Sequence, residues 1–236
     1  MSERETGDGK QGTGDSSAPA PPVACPPSPV LRPPSHGLRF GAVILAAGAS
    51  TRMGTPKQLL PVEGRPLIVR AVEAALASPA WPVIVVLGAH AEKIRPVLAR
   101  LPVLIAENAA WAEGMAASIR AGMTTLQQFS RSFDGVLIAL CDQPEFSAGI
   151  IAQLLAAQQN SGRGIVASHY HGRNGAPALF LREHFAPLAA LTGEEGARAL
   201  LNGTPEQVAT VDLPELAFDL DTLSDYERWQ REGRAQ

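Results

Sequence analysis

Val43-Ile44-Leu45-Ala46-Ala47-Gly48-Ala49-Ser50-Thr51-Arg52-Met53-Gly54-Thr55-Pro56-Lys57 changes character at Ala46. It opens as a continuous apolar run, the pattern of a strand covered on both faces, and continues as small, polar and basic residues. A buried strand feeding such a loop predicts an α/β sheet with a ligand site at its carboxyl edge. Val83-Ile84-Val85-Val86-Leu87, Val103-Leu104-Ile105 and Val136-Leu137-Ile138-Ala139-Leu140 repeat the apolar run. Between them lie helical stripes: Ile68, Val72, Ala75 and Leu76 behind Pro66, then Met115, Ile119, Gly122, Met123 and Leu126. Strand, helix, strand in this order implies right-handed crossovers and a mostly parallel sheet.

Beyond the fourth run the pattern becomes mixed. Ile150, Ile151, Leu154 and Leu155 give another helix, and Ile165 to Tyr170 and Ala176 to Leu181 read as strands flanking a turn over His171 to Gly175. Thr192 and Glu195 have the spacing of a capping box before a short helix, and a last helix is expected to start near Thr222. No internal repeat is present.

Residues 1–38 hold eight of the chain's 20 prolines and no aromatic residue. That composition cannot bury a core, so a disordered tail is expected ahead of a single domain over 39–236. The 236 residues, 45% hydrophobic, are enough for one full core. Lys+Arg 20 against Asp+Glu 23, with no basic stripe, argue against nucleic acid as a partner. Cys25 and Cys141 cannot build a disulfide framework, and no Cys/His cluster has zinc spacing, which points to a reducing, cytoplasmic setting. No apolar run approaches the roughly 18 residues of a membrane span, and the polar opening lacks a secretory signal.

The loop after the first strand has phosphate-binding chemistry. Its small residues let backbone approach a ligand, its N–H groups can form an anion nest, and Arg52 and Lys57 suit a triphosphate. It is neither Walker A, which needs Lys-Ser/Thr after the glycine, nor the G-x-G-x-x-G dinucleotide fingerprint.

The order Leu45-Ala46-Ala47-Gly48, Ser50, Arg52-Met53-Gly54 and Lys57, followed by Leu59-Leu60-Pro61 and Gly64-Arg65-Pro66-Leu67, resembles the signature of the MobA-like NTP transferase family. Within it, Ala-Ala-Gly is similar to the cytidylyltransferase (MocA-like) branch; guanylyltransferase relatives more often have Ala-Gly-Gly at Ala46-Ala47-Gly48. Four further segments match in order, so the resemblance covers about residues 40–230. Asn108-Ala109-Ala110-Trp111 with Gly114-Met115 and Ser118 resembles the segment passing the nucleotide base and sugar; contact is assigned to Asn108, Gly114 and Ser118, while Trp111, Met115 and Ile119 are read as core. Cys141-Asp142-Gln143-Pro144 resembles the family's Cys-Asp-Gln-Pro, making Asp142 an expected Mg²⁺ ligand at a strand end. Asp219-Leu220-Asp221-Thr222 resembles its closing Asp-x-Asp-Thr, which makes Asp221 the second metal carboxylate, or a helix cap, and Asp219 the lesser candidate. Gly193 to Arg198 resembles Gly-x-x-Gly-Ala-Arg, where Arg198 would hold the acceptor's phosphate; Ala176 stands where the family commonly has His.

The resemblance implies a three-layer, Rossmann-like nucleotidyltransferase fold with a mostly parallel central sheet and a mixed C-terminal part. It also implies an Mg²⁺-dependent reaction of CTP with molybdenum-molybdopterin, with Arg52, Lys57 and Asp142 catalytic. Leu45, Ala46, Ala47, Gly48, Ser50, Met53 and Gly54 join Arg52 and Lys57 in binding nucleotide. An apo-molybdoenzyme of the xanthine dehydrogenase type is the implied recipient of the product. The competing readings are a nucleotidyltransferase using GTP or a sugar or alditol phosphate, and a non-catalytic molybdenum cofactor carrier.

Overall fold

The structure, a computed structural model, describes residues 37–203 and 206–232. The expected tail over 1–38, with Cys25, lies outside the described residues except for its last two positions.

Among the described residues, nine strands and seven α-helices follow in the order β1 (Phe40–Ala46), β2 (Pro61–Val62), β3 (Arg65–Pro66), α1 (Leu67–Leu76), β4 (Val83–Leu87), α2 (Ala91–Leu98), β5 (Leu104–Glu107), α3 (Met115–Phe129), β6 (Gly135–Leu140), α4 (Ala148–Ser161), β7 (Ile165–Tyr170), β8 (Arg173–Leu181), α5 (Phe185–Ala189), α6 (Arg198–Leu201), β9 (Val208–Asp212) and α7 (Leu223–Glu232). Seven strands form one sheet in the order β5-β4-β1-β6-β8-β7-β9, while β2 and β3 make a small hairpin. β8 alone runs against its neighbours, pairing antiparallel with both β6 and β7. The expected α/β class, with a mostly parallel sheet that becomes mixed after β6, is the fold observed.

Every residue of β1 is buried, because alternate side chains feed different layers. Ala42, Ile44 and Ala46 pack with α1, α2 and α4, whereas Val43 and Leu45 pack with α3, α5 and α6. β1 also lies between β4 and β6, so its carboxyl end opens at the middle of the sheet edge.

Three local expectations are corrected. The loop between β7 and β8 is tighter than expected: His171 and Gly172, both at positive φ, make a two-residue turn, and β8 starts at Arg173. The capping box is at Thr222 and Asp225, not at Thr192 and Glu195. Thr222 N donates to Asp225 Oδ2 at 2.9 Å and Asp225 N to Thr222 Oγ1 at 3.2 Å, whereas α6 begins after Ala197 with no side-chain cap. α2, absent from the sequence reading, carries only Ile94 and Leu98 as buried residues and has Pro96 inside it, which weakens its periodic signal.

Candidate functional site

A buried glutamine shapes the loop after β1. Gln58 is 1% exposed, and its Nε2 donates to the carbonyls of Ala46 at 3.0 Å and Gly48 at 2.9 Å. Ser50, at φ 52°, accepts from Lys57 N at 3.1 Å and donates to Gln58 Oε1 at 3.4 Å. Outside this clamp, His90 Nε2 meets the Ala49 carbonyl at 2.8 Å. Met53 N donates to Ser50 O, so the expected anion nest loses that amide; the amides of Gly48, Arg52 and Gly54 have no acceptor among the described residues. Met53 itself is buried, and Arg52 is exposed without an ion-pair partner among the described residues.

Lys57 points from this loop to two carboxylates. Its Nζ is 2.7 Å from Asp142 Oδ2, just past the end of β6, and 2.7 Å from Asp221 Oδ1. Leu220 N donates to the Asp142 carbonyl at 3.0 Å, and the Leu220 side chain is fully buried against Val62 and Leu67, which fixes Asp221 beside β6. Thr222 and Asp225 cap α7, leaving the Asp221 side chain free for Lys57. Burial opposes the charge on Lys57, but Asp142 and Asp221 outweigh it and hold its pKa above the ordinary lysine value.

The carboxylates fit a divalent metal. Two of their oxygens already converge on one cationic nitrogen, and Asp142 Oδ1 is buried with no hydrogen-bond partner. No group of three or more His, Cys, Asp and Glu among the described residues is placed to hold a metal by itself. Two carboxylates completed by substrate oxygens and water are the donor set Mg²⁺ ordinarily takes in phosphate sites. Asp219 lies nearby with Oδ1 also buried and unpartnered; burial, then the charges of Asp142 and Asp221, push its pKa up to about 7.

Two hollows meet here. A cleft of about 390 Å³ runs along Leu45, Ala46, Ala47, Gly48, Lys57 and Asp142, reaching Trp111, Gly114, Ser118 and Glu194. A second, of about 170 Å³, has apolar walls including Ile138 and Phe180 and a rim carrying Tyr170, Arg173 and Arg198. Leu45, Met115 and Leu140 line both. A larger cavity, about 560 Å³, lies at the opposite end of α3 around Arg131 and Arg182.

Several expected contacts are relocated. Asn108 is buried beneath the cleft, donating to Ser118 Oγ at 3.1 Å and accepting from Ala110 N at 3.0 Å. Ser50, Arg52, Met53 and Gly54 stand in the adjoining loop and do not line the cleft, and Arg198 belongs to the second hollow. Ile119 is core as expected, but Trp111 is 37% and Met115 41% exposed. Trp111 sits on a short 3-10 turn over the sheet edge, and Met115 is the first residue of α3, so neither reaches the layer beneath. The sequence reading missed Gln58, next to Lys57, and Gln143, whose buried Nε2 donates to Tyr170 Oη and the Ala176 carbonyl, each at 3.1 Å. Ala176 therefore contributes its carbonyl to this network and its small side chain to the second hollow. The available signal was position alone: Gln58 directly follows Lys57, and Gln143 directly follows Asp142.

The profile of the MobA-like NTP transferase domain matches residues 42–211. The chain is 32% identical over 193 residues to nicotine blue oxidoreductase of Paenarthrobacter nicotinovorans, covering 77% of this chain and 91% of that protein. It is 31% identical over 205 residues to the purine catabolism protein PucB of Bacillus subtilis, covering 80% and 95%. The crystal structure of Rv0371c from Mycobacterium tuberculosis in complex with manganese is similar at a TM-score of 0.65 and 25% identity, over 80% of this chain and 97% of that one. No helix among the described residues is long and apolar enough to cross a membrane. Because the matched span runs from β1 into β9 and takes in the clamped loop, Lys57 and Asp142, the chain belongs to the MobA-like NTP transferase domain family and is a nucleotidyltransferase.

Proposed function

We propose that the protein transfers the cytidylyl group of CTP to the terminal phosphate of molybdenum-molybdopterin, forming the cytosine dinucleotide cofactor and pyrophosphate. The observation that carries this reading is the meeting of Lys57, Asp142 and Asp221 beside two hollows with shared walls, one for each substrate.

In the transfer, an oxygen of the acceptor phosphate forms a bond to the α-phosphorus while the bond from that phosphorus to the bridging oxygen breaks. The electron pair departs with pyrophosphate. The acceptor is already an anion, so placement and charge stabilisation replace a strong base. Lys57 stays protonated and sets a fixed positive charge at the reacting phosphates. Arg52, exposed and unpaired among the described residues, is available for the leaving phosphates together with the open amides of Gly48 and Gly54. Asp142 and Asp221 would hold Mg²⁺, which when bound neutralises phosphate charge.

CTP is favoured by Ala47. It is buried and lines the cleft, where its methyl group takes space that a glycine would leave to a larger base. One methyl group is worth about 1–3 kcal/mol of discrimination. Arg173 and Arg198 over apolar walls suit an acceptor with a flat ring system and a phosphate; its pterin identity rests on the family resemblance. An apo-molybdoenzyme of the xanthine dehydrogenase type in the cytoplasm would then receive the product, without nucleic acid or membrane taking part.

The test is pyrophosphate release with molybdenum-molybdopterin, Mg²⁺ and each of CTP, GTP, ATP and UTP in turn. Release with CTP and a product carrying CMP is expected. Preference for GTP overturns the base assignment, and silence with every nucleotide overturns the reaction in favour of another acceptor or a carrier.

A further inference from the structure

Accepting the 390 Å³ cleft as the nucleotide site, we propose that Trp111 and Glu194 read the nucleoside: the indole stacks on the base and the carboxylate accepts from the ribose hydroxyls. Apart from Asp142, whose open Oδ1 is assigned to the metal, the other polar side chains lining the cleft are engaged. Lys57 is held by Asp142 and Asp221, Gln58 is spent on two loop carbonyls, and Ser118 is buried against Asn108. Glu194 is exposed and has no hydrogen bond or ion pair among the described residues, and Trp111 is the exposed aromatic of the lining. Across the sheet edge the order is β6, β1, β4, β5. Asp142 follows β6 and Trp111 follows β5, so the phosphates and the nucleoside have separate ends.

Glu194 is held in place by a backbone contact. Gly114 has φ 105°, and a Cβ there would lie 2.7 Å from Glu194 Cα and 2.9 Å from Gly193 O. The missing side chain thus admits the loop carrying Glu194, whose Cγ would be 3.2 Å from that Cβ. Ala116 N donates to Gly193 O at 3.4 Å across the same seam. Unlike Asp142 and Asp221, which Lys57 neutralises, an unpaired carboxylate near the triphosphate would repel it, whereas one at the nucleoside end pairs with the vicinal hydroxyls common to ribonucleotides.

The experiment is calorimetric binding of CTP, GTP, their 2′-deoxy counterparts and UTP, with Mg²⁺ and no acceptor, to the full chain and to Glu194→Ala, Glu194→Gln, Trp111→Ala and Trp111→Phe. For whichever ribonucleotide binds, Glu194→Ala is expected to weaken it about tenfold and to bring it level with its 2′-deoxy form, with partial recovery in Glu194→Gln. Trp111→Ala is expected to weaken ribo and deoxy forms alike by about tenfold, with recovery in Trp111→Phe. An unchanged ribo-to-deoxy ratio in Glu194→Ala overturns the ribose assignment, as does loss of CTP over UTP preference in its place, which would put Glu194 on the base amine. Unchanged binding in Trp111→Ala overturns the stacking role. Because acceptor is left out, failure of the transfer reaction leaves this result standing; failure of every nucleotide to bind overturns both.

Discussion

Lys57 Nζ lies 2.7 Å from Asp142 Oδ2, joining side chains 85 positions apart that are each only 16% exposed. The same nitrogen reaches Asp221 Oδ1, on a carboxylate that is half exposed. Removing one member of a partly buried ion pair leaves the other without compensation. Lys57→Met is therefore expected to lower the transfer rate by about 10²–10³-fold and to cost about 1–3 kcal/mol of stability. Initial rates and denaturant melts check this, and a variant with wild-type turnover contradicts the role given to the ammonium.

Gln58 makes a separable prediction. Gln58→Leu leaves the Ala46 and Gly48 carbonyls without their donor, at a cost of about 1–3 kcal/mol. The loop they belong to lines the cleft proposed for the nucleotide, so KM for the nucleotide should rise several-fold while KM for the acceptor stays unchanged. A rise in both constants would show that the clamp supports the whole site and not the loop alone.

Asp219 gives the pH dependence. Its pKa in the fold, about 7, lies above the roughly 3.9 of an unfolded aspartate. Between those values the native state keeps a proton that the unfolded state has lost, so this group makes stability fall as pH rises through the window and level off above it. In metal-free buffer, the melting temperature of Asp219→Asn relative to wild type should climb from about pH 4 to about pH 8. A difference that stays constant across that range contradicts the assignment.

Cys141 lies next to Asp142, yet it should be inert. Complete burial, then the neighbouring Asp142 charge, push its thiol up to about 12. Alkylation at neutral pH followed by peptide mapping should leave Cys141 unmodified in native protein and modified after unfolding. Native-state labelling at Cys141 would mean that the end of β6 opens.

Much of this architecture was legible in the sequence for a physical reason. β1, β4 and β6 are buried on both faces, so their apolar runs are continuous and stand out. Lys57, Asp142 and Asp221 were legible through motif order, although only the fold shows that they meet at one nitrogen. Trp111 and Met115 were misread because helical spacing reports a face but not the height above a sheet edge. The Thr192 and Glu195 spacing matched a capping box, but side-chain capping requires the chain to turn into a helix there, and it does so only after Ala197. Gln58 bonds to the Ala46 and Gly48 carbonyls and the loop carrying Glu194 packs on Gly114, contacts that local pattern does not encode.

The central claim is that Asp142 is a metal-binding carboxylate of nucleotidyl transfer, and Asp142→Asn tests it most directly. Single-turnover transfer of labelled CMP to molybdenum-molybdopterin should fall by about 10³-fold, with nucleotide binding in the absence of metal and the folded melting transition both retained. A near-wild-type rate in that variant would contradict the account.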